Sequence, residues 1–262
     1  MKKFFLMLAV ALPMFFMASC GDDNDEDALS LDQISATMDY GKTIKLTPSE
    51  KKGEWESTNE FVATVDKDGN VKAEHVGKAT IKYLKDGQTA TCAIIVNATN
   101  TYFDTPQNWG SSVAQVKSSN FVKEMNLFVD KPDQLMYAIN SDLDYPWYGF
   151  LFENDKLDGS SINFPTTIGR EHNFTEYYTQ HYKEIESEED ENGDPVRVFI
   201  NANTVSEASL AMKLSVELGE ENIYIATTMP ATHVNNTKSA TDNVAQRAVN
   251  LFHEAKKINN LK

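Results

Sequence analysis

Basic charge is in short supply in this 262-residue chain, with 24 Lys and Arg against 39 Asp and Glu and a formal net charge of -15. No basic stripe exists, so a polynucleotide would be repelled and nucleic-acid binding is not expected. Cysteine is scarcer still, with only Cys20 and Cys92. If Cys20 is chemically occupied, Cys92 has no partner; a disulfide framework is then excluded and a buried, inert thiol is expected. The five histidines include no pair at ligand spacing with a second His or Cys, so a zinc site is not expected. There is no nucleophile elbow, and Gly110 and Gly149 sit in no phosphate-cradling pattern. No cofactor is implied.

Long apolar runs are also missing. Phe4 to Met17 is interrupted by Pro13 and is too short to span a bilayer as a helix. Lys2 and Lys3 precede it, and Met17-Ala18-Ser19-Cys20 closes it with small residues before a thiol, the order of a secretory signal. This segment resembles a bacterial lipoprotein signal, with Met17 in place of the usual Leu. The resemblance implies that residues 1–19 are removed and that Cys20 receives the lipid that holds the protein to a membrane. Asp22, Asp23, Asn24, Asp25, Glu26 and Asp27 follow within residues 20–28. Like charges with nothing apolar to bury make an extended, solvated tether, which anionic lipid would repel. In some Gram-negative commensals such a run resembles the signal for display on the outer leaflet. That implies an outer-membrane address facing the cell exterior.

Residues 29–98 read as short alternating strands broken by turn dipeptides, the pattern of an all-β sandwich. Asp68-Gly69 lies between Val65 and Val71, and Asp86-Gly87 between Tyr83 and Thr89. Both dipeptides suit the positive φ angles of tight hairpins. Ala90, Cys92, Ile94 and Val96 alternate with Thr89, Thr91 and Ala93, as a sheet with one buried face requires. Tyr40-Gly41-Lys42-Thr43, Pro48, Trp55, Val62 to Asp66, Gly69, Val71, Ala73, Gly77 to Ile81 and Cys92 together resemble a bacterial immunoglobulin-like domain of group 2. The resemblance implies a surface module or spacer without catalytic residues, with Trp55 filling the middle of the sandwich.

Residues 99–262 are expected to form an α+β domain, an antiparallel sheet with helices on one face. Ser112 predicts the cap of a short helix through Val113, Ala114 and Val116. Strands are predicted at Leu135 to Asn140, Tyr148 to Asn154 and Ser161 to Pro165. A helix is expected over Phe174 to Ile185, a charged loop over Glu186 to Asp194, and strands at Val196 to Asn201, Leu210 to Leu218 and Asn222 to Met229. Two helix-plus-three-strand units result, an order that resembles the repeats of small exported proteins of the β-lactamase-inhibitor kind. An amphipathic helix carrying Val244, Ala248, Leu251, Phe252, Ala255 and Ile258 should close the chain by docking on the domain.

Glu188, Asp190, Asn192 and Gly193 have the look of a calcium loop, but the twelfth position holds Phe199 where a bidentate Glu is needed; a solvated acidic loop is expected. Asp142, Asp144, Glu153 and Asp155 bracket Tyr145, Trp147 and Tyr148. Sequence proximity does not set the carboxyl separation that glycoside chemistry needs, and Asp at strand ends usually forms turns. The aromatic cluster is the candidate ligand site. Neighbouring residues on a strand point to opposite faces, so one of Trp147 and Tyr148 could be exposed as a flat platform for a sugar ring; packing of both is the competing expectation. The function expected is a lipid-anchored surface protein that binds a glycan or a surface protein and is not an enzyme. A purely structural envelope component, and after it a glycan-active enzyme, are the alternatives.

Overall fold

Turn chemistry sets the register of the first domain. The computed structural model describes residues 28–100, 105–140, 145–167, 174–189, 195–217, 223–236 and 238–260. Cys20, the acidic tether, Asp142, Asp144, Asp190, Asn192 and Gly193 lie outside them. Strands β6 (Gly77–Lys85) and β7 (Gln88–Asn97) are joined by Asp86 and Gly87 alone. Both have positive φ, 50° and 79°, the two-residue turn whose twist matches its flanking strands. The residues of β7 alternate without a break, with Ala90, Cys92, Ile94 and Val96 buried. Burial also pushes the Cys92 thiol up.

Two sheets pack as a sandwich. One has the order β1 (Ser35–Asp39), β7, β6, β3 (Glu54–Ser57), with β1 parallel to β7; the other has β2 (Thr43–Lys45), β5 (Asn70–Ala73), β4 (Ala63–Val65). At the β4–β5 connection Asp66 Oδ1 accepts the backbone N–H groups of Asp68 and Asn70, both at 2.9 Å. Those bonds and the Asn70 side chain hold the Asp66 carboxyl below its ordinary value. Trp55 does not fill the middle of the sandwich. It sits half-buried on edge strand β3, its ring 4.7 Å from that of Tyr83, while Leu46, Ile81 and Ile94 are the largest fully buried side chains of this core.

The second domain holds helix α1 (Val113–Lys117), then strands β8 (Asn126–Lys131), β9 (Gln134–Ala138), β10 (Trp147–Glu153) and β11 (Lys156–Pro165). Helix α2 (Phe174–His181) follows, then β12 (Lys183–Glu189), β13 (Pro195–Ile200), β14 (Leu210–Glu217) and β15 (Ile223–Pro230), and finally α3 (Thr232–Asn236) and α4 (Lys238–Asn260). Each helix is thus followed by four strands rather than three. The two up-and-down runs meet at their last strands, giving the order β12-β13-β14-β15-β11-β10-β9-β8, antiparallel throughout.

Both additional strands are edge strands with a register shift, β8 between Leu127 and Val129 and β12 between Glu184 and Glu186. A bulge interrupts the alternation by which a strand is recognised in sequence. Ile185, expected on a helix, is therefore an exposed strand residue, and α2 ends at His181.

Cores lie on both faces of this sheet. Tyr148, Phe150, Phe164, Phe199 and Met212 share one cluster with Val116 of α1 and with Tyr177 and Tyr178 of α2. Trp147, Leu151, Ile200, Ile225 and Met229 share the other with Leu251 and Phe252 of the long helix α4. Asp158 of β11 clamps this helical layer. His233 Nε2 lies 2.7 Å from its Oδ1 and Arg247 Nη1 lies 3.6 Å from its Oδ2, while Arg247 Nη2 donates to the Phe152 carbonyl at 2.6 Å. Among the described residues no helix is long and apolar enough to cross a membrane.

A buried glutamine lies at the joint between the two domains. Gln180 of α2 is fully buried; its carbonyl accepts the Val76 N–H at 2.8 Å, its Oε1 accepts the Thr99 N–H at 2.8 Å, and its Nε2 donates to Thr99 Oγ1 at 2.7 Å. Beside it His75 stacks on Phe61 at 4.0 Å, and burial lowers its pKa from the ordinary histidine value. Gln180→Ala removes the side-chain bonds to Thr99 and Asn100 and leaves the carbonyl bond to Val76. Limited proteolysis should then cut the connection after Thr99 faster than in the parent, with little change in melting of either domain. Equal cleavage rates would show that the joint does not depend on this side chain.

Candidate functional site

Strand alternation sends Trp147 and Tyr148 to opposite faces of β10, as expected, but the sheet has no bare face. Trp147 is 0% exposed and lies between Phe128 and Phe252, with ring centroids 5.3 and 5.8 Å away. Tyr145, half-buried, stacks on it at 4.5 Å. Tyr148 is 3% exposed, meets Phe121 edge-on at 5.3 Å, and has its phenol pushed up to about 12 by burial. Neither ring offers a flat platform, which corrects the expectation of an exposed aromatic at one of the two. The reason is coverage: α4 lies over one face, and α1 with the segment that follows it lies over the other.

The carboxylates expected nearby have structural work. Asp155 Oδ1 accepts the Val113 N–H at 3.0 Å, fixing the start of α1, and Asn154 and Asp155, with φ of 51° and 59°, form the β10–β11 turn. Glu153 lies opposite Lys156 in the backbone register of the same hairpin. Among the described residues no group of three or more His, Cys, Asp or Glu is arranged to hold a metal ion.

What the sequence did not indicate is a half-enclosed cavity of about 230 Å³ beside α1. Its floor is apolar: Phe150, Leu157 and Val116 are buried and Phe121 is half-buried. Its rim carries Asn108, Ser111, Gln115, Ser119 and Asn120, and no charged side chain lines it. The walls are held by backbone. The Gly110 N–H donates to the Leu157 carbonyl at 2.9 Å, and the Leu157 N–H donates to the Ser111 carbonyl at 2.7 Å.

Ser112 caps α1 through a reciprocal box: its Oγ accepts the Gln115 N–H at 3.2 Å, and its own N–H donates to Gln115 Oε1 at 2.8 Å. Gln115 Nε2 is left uncommitted. Among the described residues, the side chains of Asn108, Ser111, Ser119 and Asn120 also find no hydrogen-bond partner. Ser112, from which the sequence predicts a helix cap, is the one local signal here, and it points to the helix start but not to the cavity behind it.

Because Trp147 is a core residue, Trp147→Ala should cost roughly 3–5 kcal/mol of stability in chemical denaturation. A loss below about 1 kcal/mol, within the range of ordinary surface substitutions, would mean that the ring is not packed as described.

No curated protein matches the chain. Among solved structures, a SusE-like surface-located polysaccharide-binding protein from the Bacteroides thetaiotaomicron heparin utilisation locus is 12% identical, with a TM-score of 0.21. The match covers 77% of this chain and 32% of that one, so the chain spans about a third of its length. A likeness of that score assigns neither fold nor ligand. Residues 31–95 match the bacterial Ig-like domain (group 2) family, in agreement with the sandwich of β1 to β7.

Proposed function

We propose that this is a lipid-anchored protein of the outer membrane of a Gram-negative cell, displayed outward, whose Ig-like domain spaces an α+β binding domain from the membrane. The observation that carries the binding role is the cavity beside α1, with an apolar floor and an uncharged polar rim. A purely structural component has no need of uncommitted amides and hydroxyls gathered around such a floor. Concave, largely apolar sites with a few convergent polar groups are the usual form of a ligand pocket. A glycan or a surface protein is the ligand class, with no catalytic step.

The address rests on Met17 to Cys20 and on the acidic run from Asp22 to Asp27. In this reading the lipid carries the membrane affinity, and like charge keeps the tether off anionic headgroups.

Cys20→Ala should move the protein from the membrane fraction to the soluble fraction; continued sedimentation with membranes sinks the lipid-anchor reading. Replacing Asp22, Asp23, Asp25, Glu26 and Asp27 by Ala should leave the lipid attached but abolish cleavage by protease added to whole cells. Unchanged shaving would reduce the run to a spacer.

A further inference from the structure

We propose that the cavity beside α1 receives a single uncharged sugar residue, the end or a side branch of a neutral glycan. The inference deepens the binding role above and rests on it. A pyranose has an apolar face of C–H groups and a rim of hydroxyls that both donate and accept. The cavity has the complementary form. Phe121, Phe150, Leu157 and Val116 supply the apolar floor, and the amides of Asn108 and Asn120 with the hydroxyls of Ser111 and Ser119 supply unspent donors and acceptors at the rim. Gln115 adds one donor, Nε2, because the helix cap has taken its oxygen.

Charge selects the sugar. The chain is strongly acidic, at -15, yet no ionisable side chain lines this cavity. A uronate or sulfated sugar would bring an anion to a site whose lining offers no counter-charge, and desolvating it there would cost more than the rim returns. A neutral ring has no such penalty.

Size selects one ring. At about 230 Å³ the cavity is smaller than the roughly 300–1,000 Å³ of sites for drug-sized ligands, so the rest of a glycan would continue outward through the open side. The floor and rim are also fixed beforehand. The Ser112 cap, the Asp155 bond to Val113 and the two backbone bonds to Leu157 hold α1 against β11, which limits the ordering cost of binding.

The test uses the full mature chain carrying Cys20→Ala, which is purified without detergent, and ligand-observed saturation-transfer NMR. The probes are the methyl glycosides of glucose, galactose, mannose and N-acetylglucosamine, with methyl glucuronide as the charged comparison. At least one neutral glycoside should receive saturation and methyl glucuronide none. Asn120→Asp, on the exposed rim, should weaken the neutral glycoside roughly tenfold, about the worth of one hydrogen bond to a buried ligand, at unchanged melting temperature. Phe121→Ala should weaken it at least as much, and the Asn120 variant keeps the test valid if loss of the Phe121–Tyr148 contact lowers stability. Binding that survives both substitutions overturns the assignment of this cavity while leaving a glycan-binding protein. Saturation of methyl glucuronide equal to the neutral probes overturns the charge argument. Absence of any response, together with intact surface display of the parent protein, overturns glycan binding altogether.

Discussion

A wide antiparallel sheet covered on both sides leaves its central strands no solvent face, and the second domain is arranged around that constraint. The strands β11 and β15, last in their respective runs, pair in the middle of eight. Everything at this seam has to be buried whatever its chemistry. Apolar residues there are stabilised by removal from water, at roughly 25 cal/mol per Å² of area. Polar ones are not, and the seam carries several. Ser160 is matched by Thr105, with the hydroxyls 2.7 Å apart. On the opposite face the Ser161 hydroxyl, both polar atoms of the Asn163 amide and the Thr227 hydroxyl have no partner among the described residues. Such groups cost about 1–3 kcal/mol each when left unmatched.

The same seam accommodates a close approach of α4. A Cβ placed on Gly149 would lie 2.4 Å from Ser161 Oγ and 3.2 Å from Leu251 of the helix, and one on Gly159 would lie 2.6 Å from Val244. Absent side chains at these two positions let Val244 and Leu251, a heptad apart on one helical face, sit directly on the strands. Tight cover on the α4 side also explains why Trp147 belongs to a core. On the other side α1 is short, at five residues, and shields β10 and β11 incompletely. The cavity over Phe150 and Leu157 is the space this short helix leaves. Site and core are thus two outcomes of one arrangement, a long helix on one face and two short ones on the other.

The Ig-like domain contributes placement. Its contact with α2 through Gln180 uses the Val76 backbone and Thr99, two residues past the end of β7, so the final strand of the sandwich leads into the bonded joint. A domain attached in this way is fixed in orientation as well as in distance.

Much of the fold was legible from local pattern. Asp86-Gly87 specified a hairpin, the alternation in β7 and β14 specified a buried face, Ser112 specified a cap, and the stripe from Val244 to Ala255 specified a docking helix. Each signal involves residues within a turn or two of one another, where steric and hydrogen-bonding preferences act without help from the rest of the chain. Strands β8 and β12 were illegible because bulges broke their alternation, and the burial of Trp147 and Tyr148 was illegible because period two reports which residues share a face but not what covers it. The cavity joins residues from 106 to 157 that approach only when α1 is laid across β10 and β11. Its existence was decided by tertiary packing, since a concave surface is a property of distances between elements and a sequence encodes those only through the folded whole.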